Sequence, residues 1–322
     1  MLVLLLAIGC RAKPRPSAAM PSTQSAPTTS LVIRYAKPLL DFSRGIGGLP
    51  LICSQLPLTS PGLQLALTEA HATRLLLPAS QPSVIQINDE TYPSLRSMTV
   101  DISGAQVRPD YKPAEFRSPS VTDHVLDIGR FEYRAWPVKF ASAEGYLHIL
   151  AEDVSMALLQ ENGQSCLVMT DARDGEMELA FSLQDLRDAL QTAAKLHADK
   201  AGFTLRDLTL SLRLESPNQI SLSMDVWGRW IFLPGHVRLV GRMTLDDGFN
   251  AHVSDVDIRG IDLGGMVMAG LIDKQIKQAN HRVVPLVRFP GNRIQLRDVK
   301  ILVDDKWRLN ARFGGVRLSA AN

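Results

Sequence analysis

Two stretches of this chain carry the same succession of patterns, and together they limit the folds open to it. Each starts as an amphipathic helix and continues, after a short break, as long alternating strands: Phe181 to Val226, and Ile261 to Phe313. In the first, Ser182 reads as an N-cap with Asp185 three residues on, where an acidic group suits the helix start. Leu183, Leu186, Leu190, Ala193 and Ala194 then recur at helical spacing as one apolar stripe. Past Gly202, Leu208, Leu210, Leu212 and Leu214 alternate with polar residues, Pro217-Asn218 turns the chain, and Ile220, Leu222, Met224 and Val226 alternate again. That is the period of a hairpin with one oily face. The strand openings of the two stretches look alike, Leu205-Arg206-Asp207-Leu208 beside Leu296-Arg297-Asp298-Val299.

A further hairpin is predicted between the two, with Val237, Leu239, Met243 and Leu245 before an Asp246-Asp247-Gly248 turn and Phe249, Ala251 and Val253 after it. The apolar parity changes between Val253 and Val256, which predicts a bulge. The second helix is expected over about Asp262–Asn280, rich in Gly and Met, and the last strand pair folds around Asp304-Asp305. Taken together these patterns predict an α+β fold, amphipathic helices laid on a long curled antiparallel sheet, with an apolar trough between them.

The rest of the chain is less regular. Met1–Ile8 is almost wholly apolar but far shorter than the roughly 20 residues a membrane span needs. With Gly9-Cys10 behind it, residues 1–10 read as a lipoprotein-type signal segment and Cys10 as a lipid anchor, with plain secretion as the alternative. Residues 11–30 are dominated by Pro, Ser, Thr and Ala and lack an apolar period, as expected of a tether. Residues 31–94 give mixed signals, with a helix expected over Leu65–Leu77 before Pro78. From Leu95 the strand period sharpens, and residues 95–316 are expected to form the helix-on-sheet domain, with 317–322 as a tail. Within it, Glu152–Gln160 reads as a short helix.

Charge and chemistry remove several classes of function. The 35 basic and 33 acidic residues are dispersed and leave a net charge of +2, so the footprint of a nucleic-acid binder is missing. Cys53 and Cys166 are either a bridged pair or two separate buried thiols. There is no zinc-type spacing, no GxSxG elbow and no Walker loop, and the seven histidines are scattered. The sequence therefore predicts no catalytic residues, no metal and no cofactor. Trp227, Trp230 and Phe232 gather at a strand junction as either a membrane-facing lip or part of a core or turn.

Three blocks, Leu95–Val107, Ala143–Leu158 and Phe289–Phe313, resemble a bacterial uncharacterised-domain family that includes periplasmic phospholipid-binding proteins. The resemblance implies a tubular lipid-binding fold, a long curled antiparallel sheet wrapped around amphipathic helices, with a phospholipid or similar amphiphile as partner and a place in the periplasm or at the outer membrane. Candidate lipid-pocket residues are Leu183, Leu186, Leu190, Leu222, Met224, Met243, Met266, Val267 and Leu271. The flexible thioethers of Met224, Met243, Met266 and Met268 suit a pocket that accepts varied tails. The competing expectations are that the same residues fill a closed core, and that the protein is a non-catalytic interaction lipoprotein of the cell envelope.

Overall fold

Strands dominate the molecule, and this overturns the expected α+β class with a sheet wrapped around helices. The computed structural model describes residues 40–315 apart from 46, 54, 80–83, 111–115, 117–119, 122–123, 141–142, 186, 189–190, 193–194, 196–202, 231, 278–279 and 291–292. The first third holds short strands β1 (Leu40–Asp41), β2 (Leu49–Leu51), β3 (Leu75–Leu76), β4 (Ile85–Thr91), β5 (Ser94–Asp101), β6 (Gln106–Val107) and β7 (Ser120–Val121), with helix α1 over Ser60–Ala72. Then come three long strands, β8 (Leu126–Phe140), β9 (Ala143–Glu161) and β10 (Gln164–Ser182). Helical residues between 183 and 195 lead to β11 (Phe203–Ser216), β12 (Gln219–Trp230), β13 (Leu233–Leu245) and β14 (Asn250–Gly260). Helix α2 (Leu263–Lys277) precedes β15 (Val283–Pro285), β16 (Val287–Arg288), β17 (Ile294–Val303) and β18 (Lys306–Gly315).

The physical reason for the correction is reach. At 15 residues, α2 is about 22 Å long, whereas the 19-residue β9 and β10 run to roughly 60 Å. Strands so much longer than the helices pack against one another and leave each helix on only part of a sheet.

Two main sheets result. An eleven-stranded sheet runs β17-β18-β10-β9-β8-β5-β4, with β2, β3, β6 and β7 pairing onto its members. A five-stranded antiparallel meander runs β11-β12-β13-β14-β15. The two similar stretches of sequence are therefore not a structural repeat, because β11–β12 belong to the meander and β17–β18 to the large sheet. Their shared Leu-Arg-Asp openings do have a common local meaning. The register shifts between Leu205 and Asp207 in β11 and between Arg297 and Lys300 in β17, so both mark bulges. The bulge predicted by the parity change near Val253 is present too: β13–β14 register slips between Val240 and Arg242, and Asp255 is left-handed at φ 52°.

Glu152–Gln160 is strand, not helix. It forms the second half of β9, where Met156, Ala157, Leu158 and Leu159 are all buried. On one face Phe116, Cys166 and Val168 cover Ala157 and Leu159; on the other Met156 and Leu158 join the main core. A strand covered on both sides loses its alternation and reads as an apolar run of either type. The first helix of the body starts earlier than expected. Thr59 caps Ser60–Ala72, its hydroxyl accepting from the Gly62 N–H, and Pro61 occupies the first turn. The helix buries Leu63 and Leu67 completely in the core of the large sheet, beside Ile85, Met98 and Leu126.

The sheets meet through a shared cluster in which Ile220, Leu245 and Ala251 of the meander pack with Ile301 and Leu309 of the large sheet. Backbone hydrogen bonds from Ile301 to the Pro217 carbonyl (2.6 Å) and from Leu296 to the Asp247 carbonyl (3.1 Å) join the same elements. A row of rings, Phe42 stacked on Phe289 at 4.9 Å and Phe289 edge-on to Phe249 at 5.5 Å, ties the start of the described chain to the β13–β14 turn.

Candidate functional site

The meander has two unlike faces, set by alternation along each strand. On β13, Gly235, Val237, Leu239 and Gly241 are buried while His236, Arg238 and Arg242 lie on the opposite face. Helix α2 covers the apolar face above β13 and β14, with Met268 and Ala269 buried against Val237, Leu239, Val253, Val256 and Ile258. Its first turn sits almost on the backbone beneath. A Cβ on Gly264 would lie 1.9 Å from the Pro234 carbonyl oxygen, and one on Gly265 2.0 Å from that of His236. Asp262 fixes this start by accepting from the backbone N–H of Gly265 (2.6 Å) and of His236 (3.1 Å). Those two hydrogen bonds hold its carboxyl below the ordinary range.

α2 makes little contact with β12. The neighbouring half of the face, Leu210 and Leu212 of β11 with Leu222, Met224 and Val226 of β12, is a continuous apolar stripe that is only half-buried. The Arg187 guanidinium, from the helical residues after β10, marks its far side by donating to the Leu208 carbonyl (2.8 Å) and the Asp207 carboxylate (3.2 Å).

At the end of this face lies a cluster of exposed apolar side chains. Phe232, at the β12–β13 turn, is 82% exposed; Ile261 and Leu263, at the entry to α2, are 52% and 68%, and Met266 is 57%. The Ile261 N–H donates to the His236 carbonyl (2.9 Å), and Gly264 abuts Pro234, so the hairpin tip and the helix start share one rim. Isolated exposed apolar residues need no explanation, but four large ones at one end of one layer form a patch.

The outer face of the meander is polar, with paired carboxylates. Asp225 Oδ1 accepts from His236 Nε2 and Arg238 Nε, each at 2.8 Å, and the Trp227 ring stacks on His236 at 4.5 Å. Partial burial alone would raise the Asp225 carboxyl; the Arg238 and His236 hydrogen bonds outweigh it and hold the group low. Asp246, in the β13–β14 turn, spends its oxygens on Gly248, Asn250 and His252. Among the described residues no group of three or more His, Cys, Asp or Glu side chains could hold a metal ion. Cys53 and Cys166 are separate thiols.

The sequence-predicted pocket residues are not all brought together. Leu222 and Met224 lie side by side on the stripe, packed against the cluster beneath α2. Met243 points from the same face at the opposite end, into the junction with the large sheet. Met266 is exposed on the rim, Val267 is half-buried beside it, and Leu183 is half-buried at the start of its helical turn. Leu186, Leu190, Cys10 and the side chain of Leu271 lie outside the described residues. Met268, the fourth thioether suggested for the pocket, is buried in the cluster beneath α2, and its methyl group would lie 3.3 Å from a Cβ on Gly228. That it packs with Leu239, on a different element, is decided by the tertiary structure.

No family model, no curated protein and no solved structure matches this chain. The three blocks with a resemblance to periplasmic phospholipid-binding proteins fall on β5–β6, β9 and β17–β18, all in the large sheet, whereas the half-buried stripe is in the meander. No described helix is long and apolar enough to cross a membrane.

Proposed function

We propose that this chain is a non-catalytic envelope protein, exported to the periplasm or outer membrane and held by a lipid on Cys10, that binds a phospholipid-like amphiphile. The observation that supports this reading is the half-buried stripe of Leu210, Leu212, Leu222, Met224 and Val226 beside α2. An acyl tail laid along it gains about 0.8 kcal/mol for each methylene removed from water, without any directional contact. Met224 adapts to tails of different shape. The blocks that resemble periplasmic phospholipid-binding proteins support the same ligand class.

The test is solvent extraction of the purified full chain followed by lipid mass spectrometry, repeated on a Leu222→Asn, Met224→Asn double variant. Stoichiometric glycerophospholipid in the parent and its loss in the variant is the expected result. Repeated absence of bound lipid from the folded parent would overturn the proposal. The second reading, an interaction lipoprotein, draws on β4, which pairs only with β5 among the described strands and so presents a strand edge.

A further inference from the structure

The exposed rim has a composition that a lipid-bound core alone does not require. We propose that the β12–β13 tip and the first turn of α2 form a membrane-docking foot that enters an anionic bilayer surface, with Phe232, Leu263 and Met266 below the head groups and Arg229 at their level. This contact is separate from the anchor at Cys10 and from the tail-binding stripe.

Three observations carry it. The most exposed of these side chains, Phe232, stands at a hairpin tip, and Leu263 and Met266 are three apart on one helix face, so both elements present apolar groups outward from the same end. A projecting tip of this kind suits insertion into a soft interface better than shape-matched docking into a rigid partner. Arg229, three residues before Phe232, is exposed at the same end of the hairpin on the face away from α2, and has no carboxylate partner among the described residues. An apolar and aromatic tip with a cation a few residues behind it matches the bilayer interface, where hydrocarbon adjoins phosphate.

The two acidic groups closest in sequence to Ile261 do not oppose this arrangement strongly. Asp262 is turned onto the backbone N–H groups of Gly265 and His236, and Asp257 is paired with Arg259 at 2.7 Å. The strength required of the contact rests on the Cys10 reading: a chain held at the membrane by that lipid needs only a weak further affinity here. The third is position, since the stripe on β11–β12 ends toward this rim, and docking here would set its open end against the lipid source.

The experiment uses the full chain carrying Cys10→Ser, so that no acyl anchor contributes, in flotation with vesicles of phosphatidylethanolamine and phosphatidylglycerol. Parallel vesicles of pure phosphatidylcholine test the charge requirement. Flotation with the anionic vesicles is expected, weaker on the neutral ones, and reduced at least ~10-fold by Phe232→Ser with Leu263→Ser, two exposed sites whose change leaves the core untouched. Arg229→Glu is expected to remove the preference for anionic vesicles. Unchanged circular dichroism and melting of the variants guards against misfolding. No flotation, or flotation that the rim variants leave intact, would overturn the foot. So would a self-association that the rim variants abolish without any vesicle binding. Lipid extraction from the same preparations reads the stripe independently: a chain that floats without carrying lipid loses only the tail-binding proposal, and one that carries lipid without floating loses only the foot.

Discussion

Gly260 lies so close to the first turn of α2 that a Cβ on it would sit 2.1 Å from the Met266 backbone nitrogen. Both sides of the contact are backbone, so no side chain can rotate away. Gly235 faces the same turn, with Gly264 and Gly265 at 2.6 Å from its notional Cβ. The seating of α2 therefore depends on an absence of side chains at β13, β14 and the helix itself.

Gly260→Ala is accordingly expected to lift the start of α2 and cost about 2–3 kcal/mol, as overpacking of a closed contact does. Urea unfolding monitored by far-ultraviolet circular dichroism measures it. Gly270→Ala is the control, because nothing lies within 4 Å of a Cβ there; it should be neutral or slightly stabilising, since alanine favours helix by about 1 kcal/mol.

Leu67→Ala tests whether α1 is integral to the large sheet. Leu67 and Leu63 are fully buried among residues of β4, β5 and β8. Truncation should cost about 2–5 kcal/mol, by lost transfer energy and the cavity left behind. A loss below about 1 kcal/mol in denaturant unfolding would show that α1 packs loosely.

Glu132 predicts a dependence on acid. Its burial would raise the carboxyl, but hydrogen bonds from Arg134 (2.7 Å) and His148 (2.9 Å) prevail and lower it. A carboxyl lowered in the folded state adds stability above its ordinary pKa, and that stability is lost as pH falls through the depressed value. Glu132→Gln should thus destabilise by about 1–2 kcal/mol at neutral pH, discounted for the half-exposed arginine, and by less in acid. Melting temperature against pH for parent and variant gives the comparison.

Cys166 is expected to resist alkylation in the folded protein. Burial pushes its thiol up to about 12, so almost no thiolate is present at neutral pH, and Gly45 and Gly48 close over it. Iodoacetamide labelling followed by peptide mass spectrometry should modify the half-buried Cys53 first and Cys166 only after denaturation.

Asp246→Ala should loosen the β13–β14 turn by about 1–2 kcal/mol, because its carboxylate accepts from the Gly248 and Asn250 N–H groups and meets His252 Nε2 at 2.6 Å. The change reaches further than the hairpin, since the adjoining Asp247 carbonyl accepts from Leu296 of the large sheet. Amide hydrogen exchange at Leu296 reads that coupling directly.

Local pattern was enough to locate the strands that have one wet face. Alternation placed β5, β11–β12 and β13–β14 with their turns, the parity change located the bulge at Asp255, and the Gly- and Met-rich run after Asp262 marked α2. In each of these the signal is local, because one side meets water and the other does not. Long-range packing settled the rest. Met156–Leu159 are covered on both sides, so their residue types fit a helix as well as a strand, and only the neighbours distinguish the two. Likewise no spacing within the chain could assign β11 and β17 to different sheets, send Met243 to the sheet junction while Met224 stays on the stripe, or bring Phe232 to the rim with Leu263. Those outcomes depend on which distant backbones approach one another, and periodicity carries no information about approach.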